Sequence, residues 1–556
     1  MKGSRALLRT LEDRDVETMF GYPGGVVIPI YDEIIDSSIR HVLVRHEQCA
    51  AHMADAFARA SGVPGVCLAT SGPGATNLVT GIATAYADSS PMLAITGQVG
   101  TGSLGLGAFQ EVDAYSLMMP ITKHNFRVLD IARMPHAVAE AWEICRTGRP
   151  GPVHIDIPVD QVNSEIDESL LAEASYTIKP VRTDLSGLQE AAEWIRRSNR
   201  PVLMIGGGVI SAGACDEVRQ LAEIADIPVV TPLMGIGALP SGHPLNMGPL
   251  GMHGRVGALE IFKNSDLIIA IGTKFSDRTF TAHTDPVNCR VIHMDIDATE
   301  FDKHAGHHSV NLLCDAKEGT RMLIEALGRE TGHHAPWSEK VKETGSRCPC
   351  DFDYGCEPIV PHKVMHELNK FLDDDVIVTT DVGQNQMWAM HYLDIRRPRQ
   401  FISSGGFGTM GFGLPSAIGA KAARPEADVV TVTGDGGLLM VVQELATSVA
   451  EDLPVVICLL NNGWLGMVRQ WQNLFWDSRY SGTELRAGPD FVKVAEAFGA
   501  KGIRVEKPGE IHDAFKEAFD CGRTCLVEIL VDPEENITPM LPPNPTLPMS
   551  RGRCRF

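Results

Sequence analysis

Short continuous apolar runs alternate along this chain with longer segments whose apolar residues recur at helical spacing. The runs are GVCLAT at 65–70, PMLAIT at 91–96, PVHIDI at 152–157, PVLMIG at 201–206, DLIIAIG at 266–272, RVIHMDI at 290–296, DVIVTT at 375–380, DVVTVTG at 428–434, PVVICLL at 454–460 and CLVEILV at 525–531. A strand that is apolar on both faces has no side for water, and such strands separated by helices are the mark of parallel sheets covered on both faces. The expected class is α/β.

Two stretches, 163–186 and 330–361, lack apolar periodicity and are rich in polar, Pro, Gly or Cys residues. They divide the chain into expected domains at 1–165, 186–330 and 361–540, each a doubly wound parallel sheet. The first and third blocks echo each other. AAHMADAFARASGVPGVCLATSGPG (50–74) and GLPSAIGAKAARPEADVVTVTGDGG (413–437) both read as helix, polar turn, buried strand and Gly-rich loop. Every doubly wound domain reuses that unit, so the echo suggests two similar domains around a different middle one.

Composition narrows the classes. The 556 residues are 44% apolar and 21% charged, which describes an ordinary globular protein with several cores. The 49 Lys and Arg against 70 Asp and Glu leave a formal charge of -21, which disfavours nucleic acid and anionic membranes as partners. No run reaches the ~18 apolar residues of a spanning helix, and the opening MKGSRALLRTLEDRD turns acidic too soon for a signal peptide. The expected location is the cytoplasm, where 13 scattered cysteines stay reduced. Only Cys348, Cys350 and Cys356 cluster, and no fourth ligand follows at metal-site spacing, so free thiols are expected.

The strongest local signal is Gly434-Asp435-Gly436 with Asn461-Asn462, the second Asn lying 27 positions after Asp435. DVVTVT reads as a strand, LLMVVQELATSVAE as the next helix and LPVVICLL as the following strand. One βαβ unit then brings Asp435 and Asn462 to neighbouring strand ends, the ligand edge of a parallel sheet. One carboxylate and one amide oxygen cannot cage a metal, but they suit a Mg²⁺ whose remaining ligands are water, a carbonyl and a diphosphate. The glycines let backbone N–H groups approach phosphates. The spacing resembles the thiamine diphosphate (ThDP) signature. That chemistry also needs a carboxyl group in a dry site, to exchange a proton with the aminopyrimidine ring. Glu47, after HVLVRH and ahead of a helix rich in small residues, is the candidate.

The resemblance then extends over nearly the whole chain. FGYPGG (20–25), RHEQ, TSGPGATN, AITGQV, AFQE, ITKHNF, TGRPGPVHIDIP, LGMHG, FSDR, MDID, GFGTMGFGLP, TGDGG and LNNGWLGMVRQWQ together resemble the catalytic subunits of the acetohydroxyacid (acetolactate) synthase family. That resemblance implies a cofactor set of ThDP, Mg²⁺ and FAD. Glu47 would activate the cofactor, with Gln110 and Gly25 near the reacting carbons. Asp435, Asn462 and the Trp464 carbonyl would hold Mg²⁺. Pro73, Asn77, Gly383, Gln384, Asn385, Gly408, Met410, Gly436, Gly437 and Met467 would bind ThDP. Gly206, Gly207, Gly208, Leu250, Gly251, Met252, His253, Gly272, Asp295 and Ile296 would contact a structural FAD. Phe109, Arg278 and Trp471 would meet substrate. The resemblance further implies a homodimer or tetramer with active sites at the subunit interface, and leaves open a separate regulatory small subunit.

The implied reaction joins the two-carbon remnant of decarboxylated pyruvate to a second 2-oxoacid, giving 2-acetolactate or 2-aceto-2-hydroxybutyrate for branched-chain amino-acid synthesis. Three positions depart from the family pattern: Gly100 and Gly102, where Pro and Arg are common, and Val159, where Lys is usual. Asn385 also stands where His is common. These changes touch the entrance channel more than the cofactor, so a decarboxylase or lyase acting on another 2-oxoacid stays open, as does a non-catalytic member of the family.

Overall fold

The computed structural model describes residues 1–178, 182–280, 283–301, 303, 304, 306–328, 334–346, 355–485, 488–542, 546, 547 and 550. Cys348 and Cys350 lie outside them. The N-terminal sheet contains β1 (Thr18–Gly21), β2 (Arg40–Leu43), β3 (Gly65–Ala69), β4 (Met92–Gln98), β5 (His124–Arg127) and β6 (Pro152–Pro158), in the order β2-β1-β3-β4-β6-β5. The middle sheet contains β7 (Pro201–Ile205), β8 (Val229–Thr231), β9 (Asn246–Pro249), β10 (Leu267–Ile271), β11 (Arg290–Asp295) and β12 (Ser309–Leu313), in the order β12-β11-β10-β7-β8-β9. The C-terminal sheet contains β13 (Ile377–Thr380), β14 (Phe401–Ile402), β15 (Val429–Gly434), β16 (Val456–Asn461), β17 (Lys501–Val505) and β18 (Cys525–Leu530), in the order β14-β13-β15-β16-β18-β17. The central pairings run parallel, as fully buried strands require.

The first and third sheets share one strand order, which is the physical content of the sequence echo. Both reverse direction between their second and third strands, at β1/β3 and at β13/β15. The middle sheet reverses between β7 and β10. Ligands of open parallel sheets bind at such reversals, because flanking loops there splay to opposite faces.

The outer domains are welded together. Helix Glu47–Ser61 lies along helix Gly413–Ala423, and Ala50, Met53 and Ala54 share one buried core with Leu414, Ala417 and Ile418. The backbones approach so closely that a Cβ on Gly419 would fall 2.2 Å from the Met53 carbonyl oxygen. The small residues read in this helix serve that contact.

Two local readings are corrected. LLMVVQELATSVAE is not one helix: Asp435–Leu439 and Glu444–Ala450 are separated by tight turns in which Met440 N–H donates to Gly437 and Glu444 N–H to Val441. The second helix is caught by the N-terminal domain, since the Glu444 carboxylate accepts the Arg45 N–H at 3.0 Å. The 330–361 stretch also contains helix Ala335–Ser346, whose Trp337 is buried on the middle sheet and donates its indole N–H to Pro201 at 3.0 Å. No helix among the described residues is long and apolar enough to cross a membrane.

Candidate active site

The C-terminal reversal gathers three strand ends. After β13 the chain passes Asp381 and Val382 to Gly383, whose φ of +144° opens helix Gln384–Tyr392. After β15 comes Asp435, and after β16 Asn462 and Trp464. The Asp435 carboxylate accepts the N–H of Gly436 at 3.0 Å and of Gly463 at 2.9 Å. Burial pushes this carboxyl up to about 6, while those two N–H donors pull it down. Asn462 Oδ1 accepts the Trp464 N–H at 3.0 Å, and its amide faces Gln384 Oε1 at 3.4 Å.

A buried carboxylate held by backbone N–H groups beside an amide oxygen is an oxygen-only donor set with one negative charge, which fits Mg²⁺ completed by a diphosphate. Among the described residues no three His, Cys, Asp or Glu side chains gather to cage a metal alone. Glycine is required here by space: a Cβ on Gly437 would lie 2.4 Å from Asp381 Oδ1, and one on Gly436 2.7 Å from Leu465 Cδ2. The side-chain N–H groups of two expected diphosphate contacts are used within the fold. Asn385 donates its amide to Val432 at 3.0 Å, and Gln384 donates to Gln470 at 2.9 Å and to the Glu535 carbonyl at 3.0 Å.

In the N-terminal half, Glu47 opens its helix behind the N-cap His46, and Asn77 donates its amide N–H to Glu47 Oε2 at 2.9 Å. Pro73 starts the short helix Pro73–Asn77 that brings Asn77 there. Gln110 has φ +60° and is pressed on the turn at Gly72, where a Cβ would meet the Gln110 carbonyl at 2.8 Å. A Cβ on Gly25 would meet nothing within 4 Å, so a ligand can approach its backbone. The Thr70 and Ser71 hydroxyls are buried close by without hydrogen-bond partners, polar atoms that suit a heteroaromatic ligand. Phe109 is 89% exposed on this single chain.

A cavity of 1390 Å³ joins the middle crevice to the C-terminal loops. Gly383, Gly408, Met410, Met467, Trp471 and Arg278 line it, whereas Glu47, Gln110, Gly25 and Phe109 do not. The Arg278 guanidinium sits 6.0 Å above the Trp471 ring and donates to Met252 Sδ at 3.2 Å. Its acidic neighbour Asp277 is 3.8 Å away and exposed. The buried Trp471 indole N–H has no partner.

At the β7/β10 reversal, Gly206, Gly207, Gly208, Leu250, Met252, His253, Gly272, Asp295 and Ile296 all line this same cavity. The glycines have a second reason to be there. A Cβ on Gly206 would lie 2.3 Å from the Gly272 carbonyl, and one on Gly208 2.8 Å from Gly272 Cα. Gly251 does not line the cavity; its φ of +125° carries the chain past Arg278, whose carbonyl a Cβ would strike at 2.4 Å. Burial pushes Asp295 up to about 6 and His253 down to about 3, and His253 Nδ1 has no partner. A long cleft with orphaned polar atoms at a topological switch point fits a dinucleotide such as FAD.

Sequence reasoning missed several groups here. Arg149 lines the cleft, bound to Glu300 at 2.9 Å and Asp297 at 3.3 Å, and Lys274 lines it two residues beyond Gly272. A basic residue just past a Gly at a strand end was the available signal for Lys274. Asp381 was missed too: fully buried, it accepts N–H groups from Val382, Gly411 and Gly413 at 2.8–3.1 Å and so ties two cofactor loops together.

Comparison with known proteins agrees with this architecture. Models of the N-terminal TPP binding domain, the central domain and the C-terminal TPP binding domain of thiamine pyrophosphate enzymes match residues 1–117, 188–323 and 381–529. The chain is 48% identical to a probable acetolactate synthase large subunit of Methanocaldococcus jannaschii, covering 98% of this chain and 94% of that one. It is 44% identical to the acetolactate synthase large subunit of Corynebacterium glutamicum, over 97% and 88% of the two chains. It is 40% identical to the large subunit of acetolactate synthase isozyme 3 of Escherichia coli, over 97% and 96%. A match of this depth across all three sheets means that the chain belongs to the thiamine pyrophosphate enzyme family, among its acetolactate synthase large subunits.

Proposed function

We propose that this chain is the catalytic subunit of an acetolactate synthase, decarboxylating pyruvate and condensing the two-carbon remnant with a second 2-oxoacid. The observation that carries the reading is a shared cavity: Arg278 opens into the same space as Gly408, Met410, Met467 and Trp471. A decarboxylase needs only the cofactor face, whereas a synthase also needs a cation to receive a second carboxylate.

Thiamine diphosphate, when bound, supplies the electron sink for loss of CO₂ and for the new carbon–carbon bond. Glu47 moves a proton at its carboxylate oxygens, with Asn77 fixing its orientation. Asp435, Asn462 and the Trp464 carbonyl would hold Mg²⁺, and the backbones at Gly383, Gly408, Gly436 and Gly437 would admit the diphosphate. Met467, which lines the same cavity as Met410, would supply a bulky apolar support for the cofactor. Gln110, Gly25 and Phe109 would approach the reacting carbons from the Glu47 side of a site completed by a second copy. Arg278 grips the acceptor's carboxylate, and Trp471 walls the pocket and keeps water out. The condensation involves no net redox change, so a flavin in the middle crevice is structural.

A homodimer or larger assembly is part of this reading. Glu47 and the Met467 cavity do not share a pocket within one chain, and the loops around both halves expose Leu106, Phe109, Met119, Phe407, Met440 and Val468. A second copy would cover that apolar surface and complete each site. Relatives named large subunits support a separate small-subunit partner. A cytoplasmic setting is supported by the described cysteines, all of which are free.

The test is pyruvate turnover by the purified protein with ThDP, Mg²⁺ and FAD each present or withheld. Acetolactate that depends on ThDP and Mg²⁺ is expected. Acetaldehyde with little acetolactate would overturn the synthase reading, and no pyruvate consumption would overturn the enzyme reading as a whole.

A further inference from the structure

Helix Val79–Asp88 ends on a buried carboxylate, and a helix C-terminus is electrostatically the wrong place for one. Asp88 is held there by Arg59, whose Nη2 lies 2.8 Å from Asp88 Oδ2. Arg59 also forms a two-pronged pair with Asp55, through Nε at 2.8 Å and Nη2 at 3.1 Å. One guanidinium therefore faces two buried carboxylates, and the cluster keeps surplus negative charge. Lys274 from the middle domain approaches from the other side, donating to the Ala87 carbonyl at 2.6 Å.

Lys274 offsets that surplus, and the C-terminal domain supplies the hydrogen bonds. Asp88 Oδ2 accepts the Gly405 N–H at 3.1 Å and Oδ1 the Gly406 N–H at 2.5 Å, while Arg59 Nη1 donates to the Ser403 carbonyl at 2.6 Å. The approach is close enough that a Cβ on Gly406 would lie 2.9 Å from the Ala87 carbonyl oxygen. One helical turn before Asp88, the Thr84 hydroxyl bonds that of Thr409 at 2.7 Å. The same helix thus pins the turn at 405–406 and again at 409. Between the two pins lies Gly408, at φ +68°, and just beyond them Met410.

We propose that Asp88, oriented by Arg59, is a positioning residue through which the N-terminal domain sets the 403–410 turn and hence the cofactor-facing backbone of Gly408 and Met410. Asp88 borders the cavity together with Gly405 and Gly406, and it acts on the thiamine cofactor only through the turn it holds. The inference rests on the ThDP reading above and extends it to a residue with no place in the motifs.

The test uses the full-length enzyme with Mg²⁺ and measures ThDP affinity by calorimetry, kcat at saturating ThDP, and thermal stability without cofactor. Asp88→Asn keeps the shape but removes the charge and turns an N–H donor toward the turn. ThDP affinity should fall about tenfold to a hundredfold, the scale of one hydrogen bond to a charged group, and kcat should fall less than the affinity does. A merely structural role would lower the melting temperature and leave ThDP affinity alone. Thr84→Val, which removes only the second pin, should weaken ThDP by a smaller factor and serves if Asp88→Asn does not fold. Unchanged ThDP affinity in either folded variant overturns the inference; wild type that binds no ThDP overturns the cofactor reading along with it.

Discussion

Asn77 donates its side-chain N–H to Glu47 Oε2 at 2.9 Å, joining the start of one helix to the end of another 30 residues on. An N–H aimed at one oxygen fixes the carboxyl's orientation and leaves Oε1 to face a ligand. Glu47→Gln keeps the volume and loses the proton exchange. It is expected to bind ThDP nearly as wild type does, while hydrogen exchange at the reactive carbon of the bound cofactor slows by two or more orders of magnitude, the scale of general acid–base losses. Nuclear magnetic resonance of quenched samples measures that exchange, and a wild-type rate would remove Glu47 from proton transfer.

The separation of Glu47 from the Met467 cavity within one chain makes a complementation experiment decisive. Glu47→Gln and Asp435→Ala chains are each expected to be inactive alone. Mixed by co-expression, a dimer of one of each would hold one site with both residues intact and one with neither. Random pairing then restores about a quarter of wild-type activity. Sites built within single chains would stay dead in every mixture.

Asp381 supplies a stability prediction with a definite sign. Burial pushes its carboxyl up to about 6 in the folded protein, against an ordinary 3.8. A carboxyl with a raised folded value binds its proton more tightly when folded, so its contribution to stability is largest in acid and is lost as pH rises from about 4 to 6. Asp381→Asn cannot titrate. The difference in melting temperature, wild type minus variant and without cofactor, should therefore grow in favour of wild type as pH is lowered from 7 to 4.5. A difference that stays flat across that range would contradict the raised value.

Parallel sheets were legible in the sequence because a strand buried on both faces is apolar along its length, as Leu267–Ile271 and Val456–Leu460 are. The pairing of Asp435 with the Asn462 turn was legible because a single βαβ unit fixes both ends by local spacing. The Arg59–Asp88 grip on Gly405 and Gly406 was not, since it spans more than 300 positions and depends on how two domains dock. The break after Leu439 was hidden for a similar reason. MVVQ carries no Gly or Pro to announce a break, and the contact made by the helix that follows, Glu444 with the Arg45 N–H of the N-terminal domain, is not visible in local sequence. Trp337 was read into a linker because the segment around it is polar, although its buried indole and the buried Val341 anchor the helix on the middle sheet.

In the proposed function Arg278 receives the second substrate, and this separates condensation from simple decarboxylation. Its guanidinium lies over Trp471, touches Met252 Sδ, and among the described residues has as acidic neighbour only the exposed Asp277 at 3.8 Å, a contact too long and too wet to occupy it. Its planar face is thus held while its donors stay available for a carboxylate. The first half-reaction needs only the cofactor and Glu47, so Arg278→Ala should leave CO₂ release from pyruvate largely intact. The second half-reaction needs the acceptor ketone held against the reacting carbon. Losing one charge-assisted hydrogen bond to its carboxylate costs about 1.5 to 3 kcal/mol, or roughly 10- to 150-fold in condensation. With the acceptor absent, the two-carbon unit takes a proton and leaves as acetaldehyde. Arg278→Lys should recover only part of the loss, because an ammonium cannot make the two parallel bonds that a guanidinium offers. The ratio of acetolactate to acetaldehyde from pyruvate reads this directly, and a ratio equal to wild type in Arg278→Ala would show that another group receives the second substrate.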